Sequence, residues 1–69
     1  MMDNGRPITD VKVKLIGEDG NAFAILGKVS KALRKAGYDL EFIKAYQDQA
    51  TAGDYDNLLQ TTMLYVHVE

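Results

Sequence analysis

Apolar and polar positions alternate over residues 10–16, near the start of the chain. A period of two residues is typical of a strand that buries one face and exposes the other. We therefore predict a strand here, with its apolar face turned to a core and its lysines turned to solvent. The predicted inward residues are Val11, Val13 and Leu15, and the predicted outward residues are Lys12 and Lys14.

A helical period follows after a turn that is rich in glycine and acidic residues. Asn21 stands where an N-cap belongs, and Gly37 stands where a glycine with positive φ commonly ends a helix. We predict a first helix from Ala22 to about Ala36, in which Gly27 and Ser30 mark a close approach of another backbone. At 100° per residue one arc holds the predicted inward residues, which are Ala22, Ile25, Leu26, Val29, Ala32, Leu33 and Ala36.

A second helix is predicted from Leu40 to about Thr51, because Asp39 is a favourable N-cap and Gly53 a favourable terminator. Its predicted inward stripe holds Leu40, Ile43, Tyr46 or Gln47, and Ala50. Phe42 lies off this stripe, and we expect it to be a second packing contact more than a platform for a ligand.

The last third of the chain is predicted to hold a short helical turn and a strand. Asp54 caps the turn, which extends to Leu59. From Thr61 or Thr62 to Val68, β-branched and aromatic residues alternate in the manner of a strand.

These elements predict an α+β fold of order β-α-α-β. Two helices joined by a short connection return the second strand antiparallel to the first, so we expect a two-stranded antiparallel sheet covered on one face by two helices, plus the short third helical turn. Residues 1–8 are predicted to be a flexible leader, and residues 9–69 a single domain. A two-stranded sheet is marginal alone and has open edges, which favours extension of the sheet in a homodimer.

Composition narrows the possible chemistry. The 69 residues contain no cysteine and one histidine, so we expect no disulfide, no metal centre and no cofactor. The carboxylates around Asp19 resemble a calcium loop in composition, but a turn followed by a helix cap accounts for them better. An enzyme would need Asp54, Asp56 and His67 to converge, and we predict that the protein is not an enzyme.

The formal charge of -2 does not suit a protein that coats nucleic acid. The first half of the chain is nevertheless basic and the second half acidic, and the basic residues are concentrated on the outer face of the first helix. That face is open to three interpretations: a solvated surface, a site for an acidic protein, or a site for nucleic acid. The candidate partner-binding residues are Lys28, Lys31, Arg34, Lys35 and Phe42.

Two motifs suggest relatives. The segment DGNAFAILGKVSKALRKAG at positions 19–37 and the segment ATAGDYDNLL at positions 50–59, with a final YVHVE, resemble a group of small bacterial and phage proteins. No activity is known for that group. The resemblance therefore implies an accessory protein of a mobile element. A cytoplasmic location is expected, since no stretch is typical of a signal peptide or a membrane span.

The sequence therefore predicts a small non-catalytic module that binds another protein and forms a homodimer. The alternative is a regulatory protein that contacts nucleic acid through the basic face of the first helix.

Overall fold

The computed structural model of the protein describes residues 7–15 and 21–69. The predicted turn at 17–20 and residues 1–6 of the predicted leader lie outside the described residues. The elements, in chain order, are β1 (Lys12–Val13), α1 (Ala22–Lys35), α2 (Leu40–Ala50), α3 (Tyr55–Tyr65) and β2 (His67–Val68).

All three helices begin where the sequence predicts. In each case a side-chain oxygen of the cap accepts a hydrogen bond of 2.9–3.0 Å from the backbone N–H three residues later. The capping residues are Asn21, Asp39 and Asp54. Gly37 follows α1 with φ of 102°, a left-handed conformation that residues with a Cβ rarely adopt.

The predicted antiparallel sheet is wrong, because β1 and β2 run parallel. Lys12 lies opposite His67, and Val13 lies opposite Val68. The sheet is also much shorter than predicted, with two paired residues in each strand. Within residues 7–15 and 21–69, the protein is a small, α-rich domain of three helices with a minimal sheet.

The length of α3 explains the change of direction. Residues 61–65, which were expected to start a strand, form the second half of this 11-residue helix. A helix of that length carries the chain about 16 Å. The chain therefore crosses the domain once more than a β-α-α-β order requires, and β2 starts at the end of the sheet where β1 starts.

The extended N-terminal segment is fastened to the C-terminal end of α3. The backbone N–H groups of Ile8 and Thr9 donate to the carbonyls of Leu64 and Tyr65 at 2.8 and 3.1 Å. The hydroxyl of Thr9, which is buried, donates to the same Tyr65 carbonyl at 2.6 Å and accepts from the N–H of Val11. These bonds attach the segment before β1 to the last turn of α3.

One face of each helix packs into a common core with the inward residues of β1. The predicted alternation in the first strand is confirmed, since Val13 and Leu15 are buried while Lys12 and Lys14 are exposed. The buried apolar residues are Val13, Leu15, Ile25, Val29, Leu33, Ile43, Tyr46, Ala50, Leu58, Tyr65 and Val66.

Four aromatic rings form a chain of contacts around α2. Tyr38 stacks on Phe42 with ring centres 4.7 Å apart, and Phe42 meets the edge of Tyr65 at 5.5 Å. Tyr65 in turn meets Tyr46 at 5.2 Å. Such pairs stabilise a fold beyond the area that they bury.

The predicted close approach at Gly27 and Ser30 is half wrong. Gly27 is exposed, and a Cβ placed on it would have no neighbour within 4 Å. Ser30 does contact α2, because its Oγ accepts a hydrogen bond of 2.8 Å from Nε2 of Gln47.

Candidate functional site

The basic residues of α1 border two different grooves. Lys31 and Arg34 line a groove between α1 and α2, whereas Lys35 lines a second groove between α1 and β1. Lys28 is exposed and lies two helical turns before Lys35, on the same side of α1. The candidate basic face is therefore one arc of α1 that borders two grooves, with Lys31 one turn away from both Lys28 and Lys35.

The groove between α1 and α2, here called the α1–α2 groove, has a volume of about 550 Å³. Its apolar surface comes from α2: Ile43 is buried, while Leu40 is 67% exposed. The lining residues are Ser30, Lys31, Arg34, Leu40, Ile43, Lys44, Gln47 and Asp48.

Cations outnumber acids around this groove. Lys31 and Arg34 come from α1, Lys44 comes from α2, and Asp48 is the only acidic residue among the lining residues that the structure describes. The Gln47–Ser30 hydrogen bond joins the two helices beside them. The exposed aliphatic side chain of Leu40 thus shares a groove with three cations, and the two helices that carry them are joined by a hydrogen bond.

Phe42 is not part of the α1–α2 groove. Its ring is half-buried and contacts Tyr38 and Tyr65, which is the packing role that the sequence favoured. Of the five candidate residues, the structure brings together Lys31 and Arg34 in this groove and leaves Phe42 in the aromatic chain.

The groove between α1 and β1, here called the α1–β1 groove, is open and has a volume of about 670 Å³. Val11 and Tyr38, both half-buried, lie among its apolar residues. Its lining residues are Asp10, Val11, Lys12, Ala32, Lys35, Ala36 and Tyr38.

A third concavity lies where the start of α1 meets the connection between α2 and α3. Phe23, which is 87% exposed, stands beside an apolar pocket of about 230 Å³. Leu26 and Leu58 are among the residues that line this pocket. We call this surface the Phe23 patch.

The three residues of the enzymatic hypothesis do not converge. Asp54 and Asp56 lie at the start of α3, and His67 follows its end, so a helix about 16 Å long separates the carboxylates from the imidazole. Asp54 is engaged as a cap. Within residues 7–15 and 21–69, no group of three or more histidine, aspartate or glutamate residues could hold a metal ion. The acidic loop around Asp19 lies outside the described residues.

The sequence did not single out Leu40, Lys44 or Phe23 as surface residues. Leu40 was assigned to the core stripe, but at 100° per residue it lies about 60° from Ile43, on the side away from Phe42. That side faces α1 across the groove. Lys44 lies one residue after Ile43 and turns to the same side, which the helical period alone could have indicated.

None of the helices in the described part of the chain is both long enough and apolar enough to cross a membrane. Comparison with known proteins gives no match: no family model fits the chain, and no curated protein or solved structure is significantly similar to it.

Proposed function

We propose that this protein is a non-catalytic interaction module whose α1–α2 groove binds a segment of another protein. The segment carries an aliphatic side chain flanked by acidic residues. The observation that supports this proposal is the position of Leu40, which is 67% exposed between the cations Lys31, Arg34 and Lys44.

Both features of the groove contribute to binding, but in different ways. Covering the exposed part of Leu40 with an aliphatic side chain removes apolar surface from water, at about 25 cal/mol per Å². The surrounding cations attract acidic residues and fix the orientation of the segment. An apolar centre with a charged rim is the usual arrangement of a protein interface.

Nucleic acid fits this groove less well. Of the basic residues of α1, Lys31 and Arg34 line this groove while Lys35 lines the other one, so a phosphate backbone held in the α1–α2 groove contacts few of them. No aromatic ring lines the α1–α2 groove, and bases therefore have no stacking platform in it. Asp48 adds a repulsive charge at its border.

The proposal is tested by selecting random-sequence displayed peptides on the purified protein and measuring the selected peptides by fluorescence anisotropy. We expect enrichment of peptides with leucine or isoleucine among aspartate and glutamate. Lys31→Glu combined with Arg34→Glu, and separately Leu40→Ser, should each weaken binding by about tenfold or more.

The matched control combines Lys12→Glu with Lys14→Glu, which makes the same charge change on the exposed face of the first strand, outside the α1–α2 groove. This variant should bind the selected peptides within about twofold of the wild type at physiological salt, where exposed charges are screened beyond roughly 8 Å. Equal losses in both double variants, or selection of peptides without acidic residues, would contradict the proposal. A labelled DNA duplex that binds more tightly than any selected peptide would favour the nucleic-acid alternative.

The homodimer is retained in the proposal, with the Phe23 patch as its contact. A protruding ring beside an apolar pocket is self-complementary about a two-fold axis, because each Phe23 can enter the pocket of the other copy. Sedimentation equilibrium should show a concentration-dependent dimer that Phe23→Ser abolishes. A wild-type protein that stays monomeric at high concentration would remove this part of the proposal.

The role as an accessory protein of a mobile element follows only from the resemblance, and the cytoplasmic location follows from the sequence pattern; both stay predictions. The selected peptides can be used to identify the natural partner, and the identity of that partner would test the accessory role.

A further inference from the structure

The two edges of β1 differ in their hydrogen bonding. On one edge the N–H groups of His67 and Glu69 each donate at 2.8 Å, to the carbonyls of Val11 and Val13. The N–H of Leu15 donates to the Glu69 carbonyl at 3.2 Å. These bonds use every second residue of the segment.

The residues in between direct their backbone groups to the other edge. In a strand, alternate residues point their N–H and C=O groups to opposite sides, so Lys12 and Lys14 point theirs away from β2. Both residues are exposed. No third strand is present within residues 7–15 and 21–69 to pair with them. This side of β1 is here called the open edge.

The open edge adjoins a concave, partly apolar surface. The α1–β1 groove is bordered by Lys12 on the strand side and by Ala32, Ala36 and Tyr38 on the other side. A strand added to β1 would place alternate side chains over this groove and the others on the outer face beside the lysines.

The charges along the open edge determine which side chains are favourable on an added strand. Pairing with the same edge of a second copy in the register centred on Val13 would set lysines against lysines, since Lys12 and Lys14 share one face, and like charges directly opposite are destabilising. Glutamate or aspartate opposite each lysine is favourable, and Lys35 lies across the groove from them. Asp10, two residues before Lys12, favours a basic residue at that end.

We propose that the open edge of β1 binds an extended peptide segment as an antiparallel third strand, with acidic residues opposite Lys12 and Lys14 and β-branched residues between them. Main-chain hydrogen bonds hold such a peptide, and the alternating side chains give its specificity. This surface is separate from the α1–α2 groove and carries a different kind of segment.

The probe is a fluorescein-labelled peptide with the central sequence Glu-Val-Glu-Val-Lys, capped at both ends. In antiparallel pairing its two glutamates lie opposite Lys14 and Lys12, and its lysine lies opposite Asp10. The control probe has the same composition in the order Glu-Glu-Lys-Val-Val, which destroys the alternation. We expect saturable binding of the first probe and at least about tenfold weaker binding of the second.

A proline substitution separates strand addition from charge attraction. Lys14→Pro removes an N–H that points to the open edge, and so leaves the bonds between β1 and β2 in place. It should abolish binding of the probe, whereas Lys14→Ala, which keeps the N–H, should weaken binding by only about two- to fivefold. Circular dichroism and the thermal midpoint establish that both variants fold.

Amide hydrogen exchange measured by NMR on the wild-type protein gives an independent readout. Saturation with the probe should slow exchange of the Lys12 and Lys14 N–H groups and leave that of Val13 nearly unchanged, since Val13 is already paired with β2. Lys31→Glu combined with Arg34→Glu should not alter binding of this probe, so a failure of strand addition is distinguishable from a failure of peptide binding in the α1–α2 groove.

Equal binding of both probes, equal loss in the Lys14→Pro and Lys14→Ala variants, or unchanged exchange at Lys12 and Lys14 would overturn the proposal.

Discussion

The phenol oxygen of Tyr46 and Oγ1 of Thr62 lie 2.7 Å apart, and both side chains are fully buried. This hydrogen bond joins α2 to α3 inside the core. No buried side-chain nitrogen or oxygen among the described residues is without a partner. The bond therefore satisfies two polar groups that would otherwise be costly to bury.

Removal of both partners should cost less than the sum of the two single removals. Tyr46→Phe leaves the Thr62 hydroxyl without its partner, and we expect a loss of about 1–3 kcal/mol in the free energy of unfolding. Combining Tyr46→Phe with Thr62→Val should cost less than the sum of the single changes. Urea denaturation of the four proteins measures this coupling, and simple additivity would show that the bond contributes nothing specific.

Tyr46 also predicts a dependence of stability on pH. Burial raises the pKa of its phenol, and the hydrogen bond to Thr62 opposes that increase only in part. Because the unfolded chain then loses this proton at a lower pH than the folded protein, the contribution is complete below about pH 10 and is lost as the pH rises through the folded pKa. Above about pH 10 the wild type should lose stability more steeply than Tyr46→Phe. Parallel curves for the two proteins would contradict the assignment.

Two leucines should respond to the same truncation to very different extents. Leu33 has no exposed surface, so Leu33→Ala should cost about 2–5 kcal/mol. Leu40 is mostly exposed, and Leu40→Ala should change stability by no more than about 0.5 kcal/mol. Thermal or urea unfolding measures both. A large loss of stability in Leu40→Ala would show that this residue packs in the core, and it would weaken the case for the α1–α2 groove.

Two glycines should likewise differ in sign. Gly27 lies inside α1 with open space around its Cα, so Gly27→Ala should stabilise the protein by about 0.5–1 kcal/mol. Gly37 has φ of 102°, and Gly37→Ala should destabilise the protein by about 1 kcal/mol because the backbone conformation is strained for alanine. The thermal midpoints of the two variants should lie on opposite sides of the wild type. A destabilising Gly27→Ala would indicate a contact at this exposed face, such as that of a dimer.

The helix starts could be predicted from the sequence because capping is local chemistry. Asn21, Asp39 and Asp54 each bond to a backbone N–H only three residues away, and no distant residue is needed to place them. The end of α3 could not be predicted in this way. Thr61 and Thr62 favour strands by intrinsic propensity, but packing in the core overrides that preference.

The residues of α3 also show a helical spacing. Leu58, Thr62 and Tyr65 recur at four and three residues, which is the spacing of one helix face, and all three are buried. The direction of the sheet followed from this one element, since it depends on how many helices lie between the strands. The candidate site was predicted only in part: the cations of α1 were identified, but their division between two grooves depends on α2 and β1 together.

The parallel sheet has a consequence for the order of folding. Next to the sheet, the side chain of Thr9 bonds to the carbonyl of Tyr65, and these residues are 56 positions apart. The α2–α3 contacts, by contrast, include the Asn57 amide bonded to the Gln49 carbonyl, eight residues away. A long chain segment must lose its freedom before the sheet forms, whereas neighbouring helices can meet early. We infer that the helices assemble first and that β1 gains its open edge in the last step, so a strand-adding partner recognises only the completed domain.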